Sequence, residues 1–312
     1  MSDKAGRMIT DAPPVPVTLP RFDQQQILNR LKFCPRLPSL STVNSALREL
    51  LTADQRYTSQ VAEIIRRDPS LTARLLRLVN SVYYGLSNPI NSIEEAVFYL
   101  GVRQIRQLAM VTPIIEDFQK LAGSAPFCWR EFWQHCIGTA FLTREIMGTL
   151  QSAPDEVDYV AGLIHDVGKI AMASAFPDHF LTIHRRHQAG EGELIALEES
   201  ILGINHCELG GLYLKNHNLP DVLVETARFH HEPERANQNS RIVAAVQLAD
   251  LLIRQAQIGD SGNRSVVTDE HWLNASGWGI LFAQQTEAEK SIARASLKRS
   301  LDRLPNLLEG MV

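Results

Sequence analysis

The run Ala161-Gly162-Leu163-Ile164-His165-Asp166-Val167-Gly168-Lys169 decides how the rest of the chain is read. Small and aliphatic residues flank His165-Asp166 on both sides, so an imidazole and a carboxylate are carried into an apolar interior, where an unpaired charge is costly. A side-by-side pair of this kind offers a metal ion one nitrogen and one oxygen, and the second carboxylate oxygen is free for another ion. The dipeptide alone carries little weight. Its meaning depends on whether distant residues complete a coordination shell.

Working outward, the pattern is helical throughout. Apolar residues recur at three and four positions through Ile27, Leu28 and Leu31 and through Val43, Ala46, Leu47, Leu50 and Leu51. Asp68-Pro69 places a capping carboxylate before a proline suited to the first helical position, and Ser92-Ile93-Glu94-Glu95 reads as a capping box ahead of Ala96, Val97 and Leu100. The spacing predicts a long helix from Phe127 to Thr149 and a helix carrying His165. Further helices are expected near Phe180 to Gln188, Glu193 to Ile201, Asn205 to Lys215, Pro220 to Phe229 and Arg241 to Ala256, with a last one through Ile292, Leu297 and Leu304. No alternating strand pattern competes. The expected fold is all-α, a two-lobed helical bundle: a proline-rich tail over 1–21, an N-terminal helical lobe over 22–122, a second lobe over 123–258 and a C-terminal helical extension over 259–312.

The 312 residues, 45% hydrophobic and 21% charged, are those of a globular protein with a substantial core. A formal charge of -4 argues against a mainly electrostatic nucleic-acid binder. Arg66, Arg67, Arg74, Arg77, Arg103 and Arg106 read better as a solvated face. No apolar run reaches membrane-spanning length and the polar opening lacks a signal-peptide pattern, so no membrane association and a cytoplasmic location are expected. Four scattered cysteines form no CxxC pair. They read as reduced packing residues, with a ligand role for Cys136 or Cys207, each directly after a histidine, as the lesser alternative.

Six further residues have metal-binding chemistry at helical positions: Glu131, His135, His206, His230, His231 and Asp250. Glu131 and His135 stand four apart and share a helix face. Ligands from several facing helices can converge in a bundle core. Plain structural roles compete for most of them: a buried histidine bonded to a carbonyl for His135, a cap for His206, and favourable placement at a helix C-terminus for His230-His231. Asp250 resists such a reading, because it lies within the apolar run Val246-Gln247-Leu248-Ala249-Asp250-Leu251-Leu252. His179, His184, His187, His217 and His271 read as surface residues.

The first lobe, with Leu37-Pro38-Ser39-Leu40, Ile64 to Thr72, Leu76 to Ser81, and Ser92-Ile93 followed by Ala96 to Gly101, resembles the HDOD domain, an HD-related output domain of bacterial signalling proteins. The second lobe carries the resemblance further, through Phe132-Trp133-Gln134-His135, Gly162 to Lys169, Glu198 through His206 and Gly210, Leu219-Pro220 and His230-His231. It spans roughly residues 30 to 255. The resemblance implies an HD-superfamily helical core in the second lobe and a role in signal transduction, with signalling proteins as partners. Against the wider HD superfamily, including the HD-GYP phosphodiesterases, His135, His165, Asp166 and Asp250 match the core ligands. His206, His230 and His231 match additional histidines, Glu131 the extra acid, and Lys169 a lysine that contacts substrate phosphate. No Gly-Tyr-Pro loop follows His230-His231-Glu232.

Two functions follow from this ligand set. In the first, the chain is a regulatory output or binding module whose metal site, of one to three iron, manganese or zinc ions, staples the second lobe; tyrosines near Asn80 to Tyr84 would then serve a docking surface. In the second, it is a metal-dependent phosphohydrolase or phosphodiesterase acting on a nucleotide or other phosphoester, with Asp166 and Lys169 as the catalytic pair.

Overall fold

The computed structural model describes residues 19–33, 76, 80, 89–96, 98, 127–150 and 156–308. Most of the first lobe, the expected boundary between the lobes at 122–123, the six arginines named above and the Tyr83-Tyr84 surface lie outside the described residues. Among those residues the secondary structure is helical and contains no strand. The chain forms α1 (Gln24–Phe33), α2 (Trp129–Thr149), α3 (Glu156–Ile164), α4 (Val167–Ala175), α5 (Pro177–Gln188), α6 (Leu194–Ile201), α7 (His206–Asn216) and α8 (Asp221–Phe229). A 3-10 turn at Pro233–Arg235 leads to α9 (Ser240–Gln255), α10 (Asp269–Leu273), α11 (Ser276–Phe282) and α12 (Glu287–Leu308).

Helix α2 is the axis of the bundle. Phe132, Trp133, Cys136, Ile137, Ala140 and Ile146 are buried on it, and α3, α9 and α12 pack around it. The periodic apolar positions in the sequence are what bury here, which is why the helices fall within a few residues of their expected bounds. One hydrophobic core runs through the described helices: Trp272, Trp278, Phe282, Leu297 and Leu304 of the C-terminal extension join the same cluster as α2, α3 and α9. The two short helices α10 and α11 were not foreseen. Their segment is polar overall, and their aromatic anchors are too few for a periodicity to emerge. At residues 92–95 the Ser92 hydroxyl accepts from the Glu95 amide at 3.1 Å, as the capping box requires.

Instead of one helix carrying His165, the chain makes two, and His165-Asp166 sits in the break between α3 and α4. Close helix crossings frame that break. A Cβ on Gly162 would lie 2.7 Å from the Ala140 Cα on α2, and one on Gly168 would lie 1.8 Å from the His206 carbonyl oxygen. Gly168 therefore lets the start of α4 touch the start of α7, which carries His206 to Asp166. Gly168→Ala is expected to destabilise the protein by at least about 1–3 kcal/mol in urea unfolding. Gly148→Ala, whose methyl meets nothing within 4 Å, is expected to be neutral or stabilising by up to about 1 kcal/mol.

Candidate metal centre

Five parts of the bundle deliver side chains to one interior point. Helix α2 supplies His135, the α3–α4 break His165 and Asp166, α7 His206, the end of α8 His230 and His231, and α9 Asp250. His135, His165, Asp166, His206, His230 and Asp250 are each at most 2% exposed. Asp166 stands at the centre with its oxygens facing apart. Oδ2 lies 3.4 Å from His165 Nε2, while Oδ1 lies 3.4 Å from His206 Nε2 and 3.6 Å from His230 Nε2. On the far side of His165, Asp250 Oδ1 is 3.1 Å from His135 Nε2 and 4.0 Å from His165 Nε2.

Three imidazoles are tied from behind in the same way. His165 Nδ1 donates to the Gly162 carbonyl at 2.7 Å, His230 Nδ1 to the Ala227 carbonyl at 3.0 Å, and His206 Nδ1 pairs with Glu198 Oε2 at 2.7 Å. A carbonyl only accepts, so His165 and His230 each carry a proton on Nδ1, and in the neutral ring Nε2 is the lone-pair atom turned inward. A carboxylate behind His206 holds its ring in the arrangement found behind metal-ligating histidines. Glu198 also accepts from the His206 amide at 2.9 Å.

Whether these residues fit a metal is tested by what they lack. Nε2 of His135, His165, His206 and His231 and Oδ1 of Asp166 are buried without an aligned hydrogen-bond partner. So many unsatisfied polar atoms at one point are costly unless something binds them. Potential ligand atoms group within 4.8 Å of one another in three overlapping sets: His135, His165 and Asp250; His165, Asp166 and His230; and His206, Cys207, His230 and His231. The buried carboxylates Asp166, Asp250 and Glu198 outnumber the one buried ammonium, Lys169, with Arg254 3.7 Å from Asp250. This excess negative charge suits a cation.

Protonation differs across the centre: burial opposes a charged ring, yet Asp166 raises His165, and Cys207 and Glu198 raise His206 well above its ordinary value, so these two rings give up a proton when a cation binds. Burial would raise the Asp166 carboxyl, but the Lys169 ammonium and His165 hold it well below the usual carboxylate range. Burial, with His231 and His165 nearby, lowers His230 well below its ordinary value. Burial also lowers His135 in spite of Asp250, so its ring is a neutral donor.

Not every expected residue joins the centre. Glu131 is exposed, belongs to none of the three ligand groups, and offers its backbone carbonyl to the Asp260 amide at 3.0 Å. Lys169 is buried at the centre's edge, donating to Asp166 Oδ2 at 2.6 Å and to the Ser261 carbonyl at 2.9 Å. Two histidines read as surface residues are buried: His179 bonds the Pro20 carbonyl at 2.9 Å, and His187 bonds the Gly192 carbonyl at 2.9 Å and accepts from the Arg264 amide at 3.0 Å. Glu198 belongs to the stretch that carries the family resemblance but was not among the expected site residues. Its signal was its place in the stripe Leu194, Leu197, Glu198, Ile201, where a carboxylate occupies an apolar position.

The HDOD domain model matches residues 37–233. The chain belongs to the HDOD family. An HDOD domain protein of unknown function from Geobacter sulfurreducens has a similar crystal structure, with 25% identity, a TM-score of 0.79, and coverage of 93% of this chain and 99% of that one. A proposed phosphohydrolase from Shewanella amazonensis shares the fold at 22% identity and a TM-score of 0.67, with 92% of this chain and 98% of that one covered. An uncharacterized protein of Treponema pallidum is 25% identical over an alignment of 236 positions that covers 73% of this chain and 44% of that longer relative. No described helix of this HDOD chain is long and apolar enough to cross a membrane.

Two outcomes follow for the centre. Glu198→Gln is expected to weaken zinc or manganese binding about 10- to 100-fold in chelator competition, whereas Glu199→Gln, on the exposed side of the same helix, leaves it within about twofold of wild type. His231 is driven down to about 3 by burial and by His206, while an unfolded histidine titrates near 6.5. The unfolded chain takes up this proton first, so the His231 contribution to stability is present above about pH 6.5 and is lost as pH falls toward about 3. Metal-free His231→Gln should therefore lose less stability than wild type across that window in urea titrations.

Proposed function

We propose that this HDOD protein is a regulatory output module of a signalling pathway, in which a metal centre of two or more ions holds the helices of the second lobe in one arrangement for partner proteins to read. The observation that carries this reading is the burial of the ligand residues together with the engagement of Lys169. Its ammonium, which would meet a substrate phosphate in an enzyme, is already bonded to Asp166 and to the Ser261 carbonyl. Asp166 and Asp250 with His135 and His165 would hold one ion, and His206, His230 and His231 another, with iron, manganese and zinc all compatible with imidazole and carboxylate donors. Ligands from α2, the α3–α4 break, α7, the end of α8 and α9 would then tie together elements far apart in sequence, and binding energy becomes folding energy.

A second reading, a metal-dependent phosphohydrolase or phosphodiesterase, is favoured by one feature. A small cavity of about 20 Å³, room for about one water molecule, is lined by Lys169, Glu198, Ser261, Phe127, Phe180 and His184 and adjoins the centre. A bound metal would supply Lewis-acid polarisation of a phosphoryl oxygen and activation of water. In that reading Lys169 would leave Ser261 and orient the phosphate, and the small cavity would have to widen between Phe127 and Phe180 to admit a nucleotide or other phosphoester.

One experiment separates the two. Zinc- or manganese-loaded protein and its Lys169→Ala variant are offered phosphomonoesters, cyclic dinucleotides and an activated phosphodiester. The regulatory reading predicts a rise in melting temperature on metal loading, corresponding to about 3–4 kcal/mol at 100 to 1,000 times the Kd, with no turnover above the variant. Turnover abolished by Lys169→Ala replaces it with the second reading. Failure of any metal to raise the melting temperature overturns both.

A further inference from the structure

The ligand group His206, Cys207, His230 and His231 contains a sulfur. We infer that Cys207 is a metal ligand, completing with His206, His230 and His231 a four-donor site of three imidazole nitrogens and one thiolate. The inference rests on the metal-centre reading above and goes further by giving one of its ions a donor, a geometry and a selectivity.

Cys207 follows His206 at the start of α7 and is 6% exposed. Its Sγ lies 3.9 Å from His230 Nε2, and one potential ligand atom from each of the four residues falls within 4.8 Å of the others. Tetrahedral zinc with bonds of about 2.0–2.1 Å to nitrogen and about 2.3 Å to sulfur sets its donors about 3.3–3.6 Å apart. Small side-chain adjustments therefore close the quartet on an ion. Two of the donors, His206 Nε2 and His231 Nε2, are buried without an aligned hydrogen-bond partner. His230 has one nitrogen to give, because Nδ1 is committed to the Ala227 carbonyl. The group His135, His165 and Asp250 shares no residue with the quartet, so each ion has its own donors and Asp166 lies between them.

The thiolate changes what the site selects. Carboxylate and water donors suit magnesium or manganese, whereas three imidazoles with a thiolate suit zinc or ferrous iron. Four protein donors, with Asp166 Oδ1 beside them at 3.4 Å from His206 Nε2, leave the ion no open position, which is the form of a structural site. Such an ion fastens the first turn of α7 to the last turn of α8, where the Arg228–Glu208 ion pair at 2.7 Å already links the two helices on the exposed side.

The test is spectroscopic. Metal-free protein is titrated with Co²⁺, and a near-ultraviolet thiolate-to-cobalt charge-transfer band is expected, equivalent to one sulfur per chain. The band should be lost in Cys207→Ser and kept in Cys136→Ser. Zinc-edge X-ray absorption of the wild-type protein needs no variant and should report one sulfur at about 2.3 Å. Cobalt bound with visible ligand-field bands but no charge-transfer band, or a band unchanged in Cys207→Ser, overturns the assignment and leaves the imidazole and carboxylate centre standing. No cobalt uptake overturns both.

Discussion

Asp166 occupies the break between two helices with its two oxygens facing different histidines, and much of the second lobe is arranged to make that position tolerable. A carboxylate at 1% exposure is costly unless paired. Here Lys169, one turn along α4, bonds Oδ2, while Oδ1 faces His206 and His230 without an aligned hydrogen bond. The small residues at Gly162 and Gly168 belong to the same constraint. They let α3 approach α2 and α4 approach α7 closely enough that ligands from distant parts of the chain meet around one carboxylate.

The helices were legible in the sequence because each is amphipathic against a core, and burial follows that period directly. Asp250 and the His165-Asp166 pair were legible for the complementary reason: polar groups set in apolar runs need partners. Glu198 was harder to read, since Glu199 stands beside it and only the short stripe Leu194, Leu197, Glu198, Ile201 marks which of the two turns inward. His179 and His187 were misread because their partners, Pro20 and the 190s and 260s loops, lie far away or beyond a turn. Glu131 shares a helix face with His135 by spacing, yet the structure leaves it exposed at the start of α2, outside the ligand groups. Spacing along one helix cannot say how deep each turn lies. The break at His165 was invisible for a similar reason, since the run 156–175 is helical in pattern on both sides of it.

A regulatory module and a hydrolase place different demands on the same ligands. Catalysis needs an open coordination position and a phosphate-binding group free to move, whereas a staple needs buried donors and firm outer support. Glu198 behind His206, carbonyls behind His165 and His230, and an engaged Lys169 favour the staple. The cavity beside Lys169 and Glu198 keeps chemistry within reach of the centre's edge.

The central claim is that two ions sit on either side of Asp166. Anomalous-difference maps from crystals of the protein supplied with zinc, iron and manganese, collected above each absorption edge, test it most directly. Two peaks are predicted, one among His135, His165 and Asp250 and one among His206, His230 and His231, each beside an Asp166 oxygen. Well-ordered side chains at these positions with no anomalous peak among them would contradict the account.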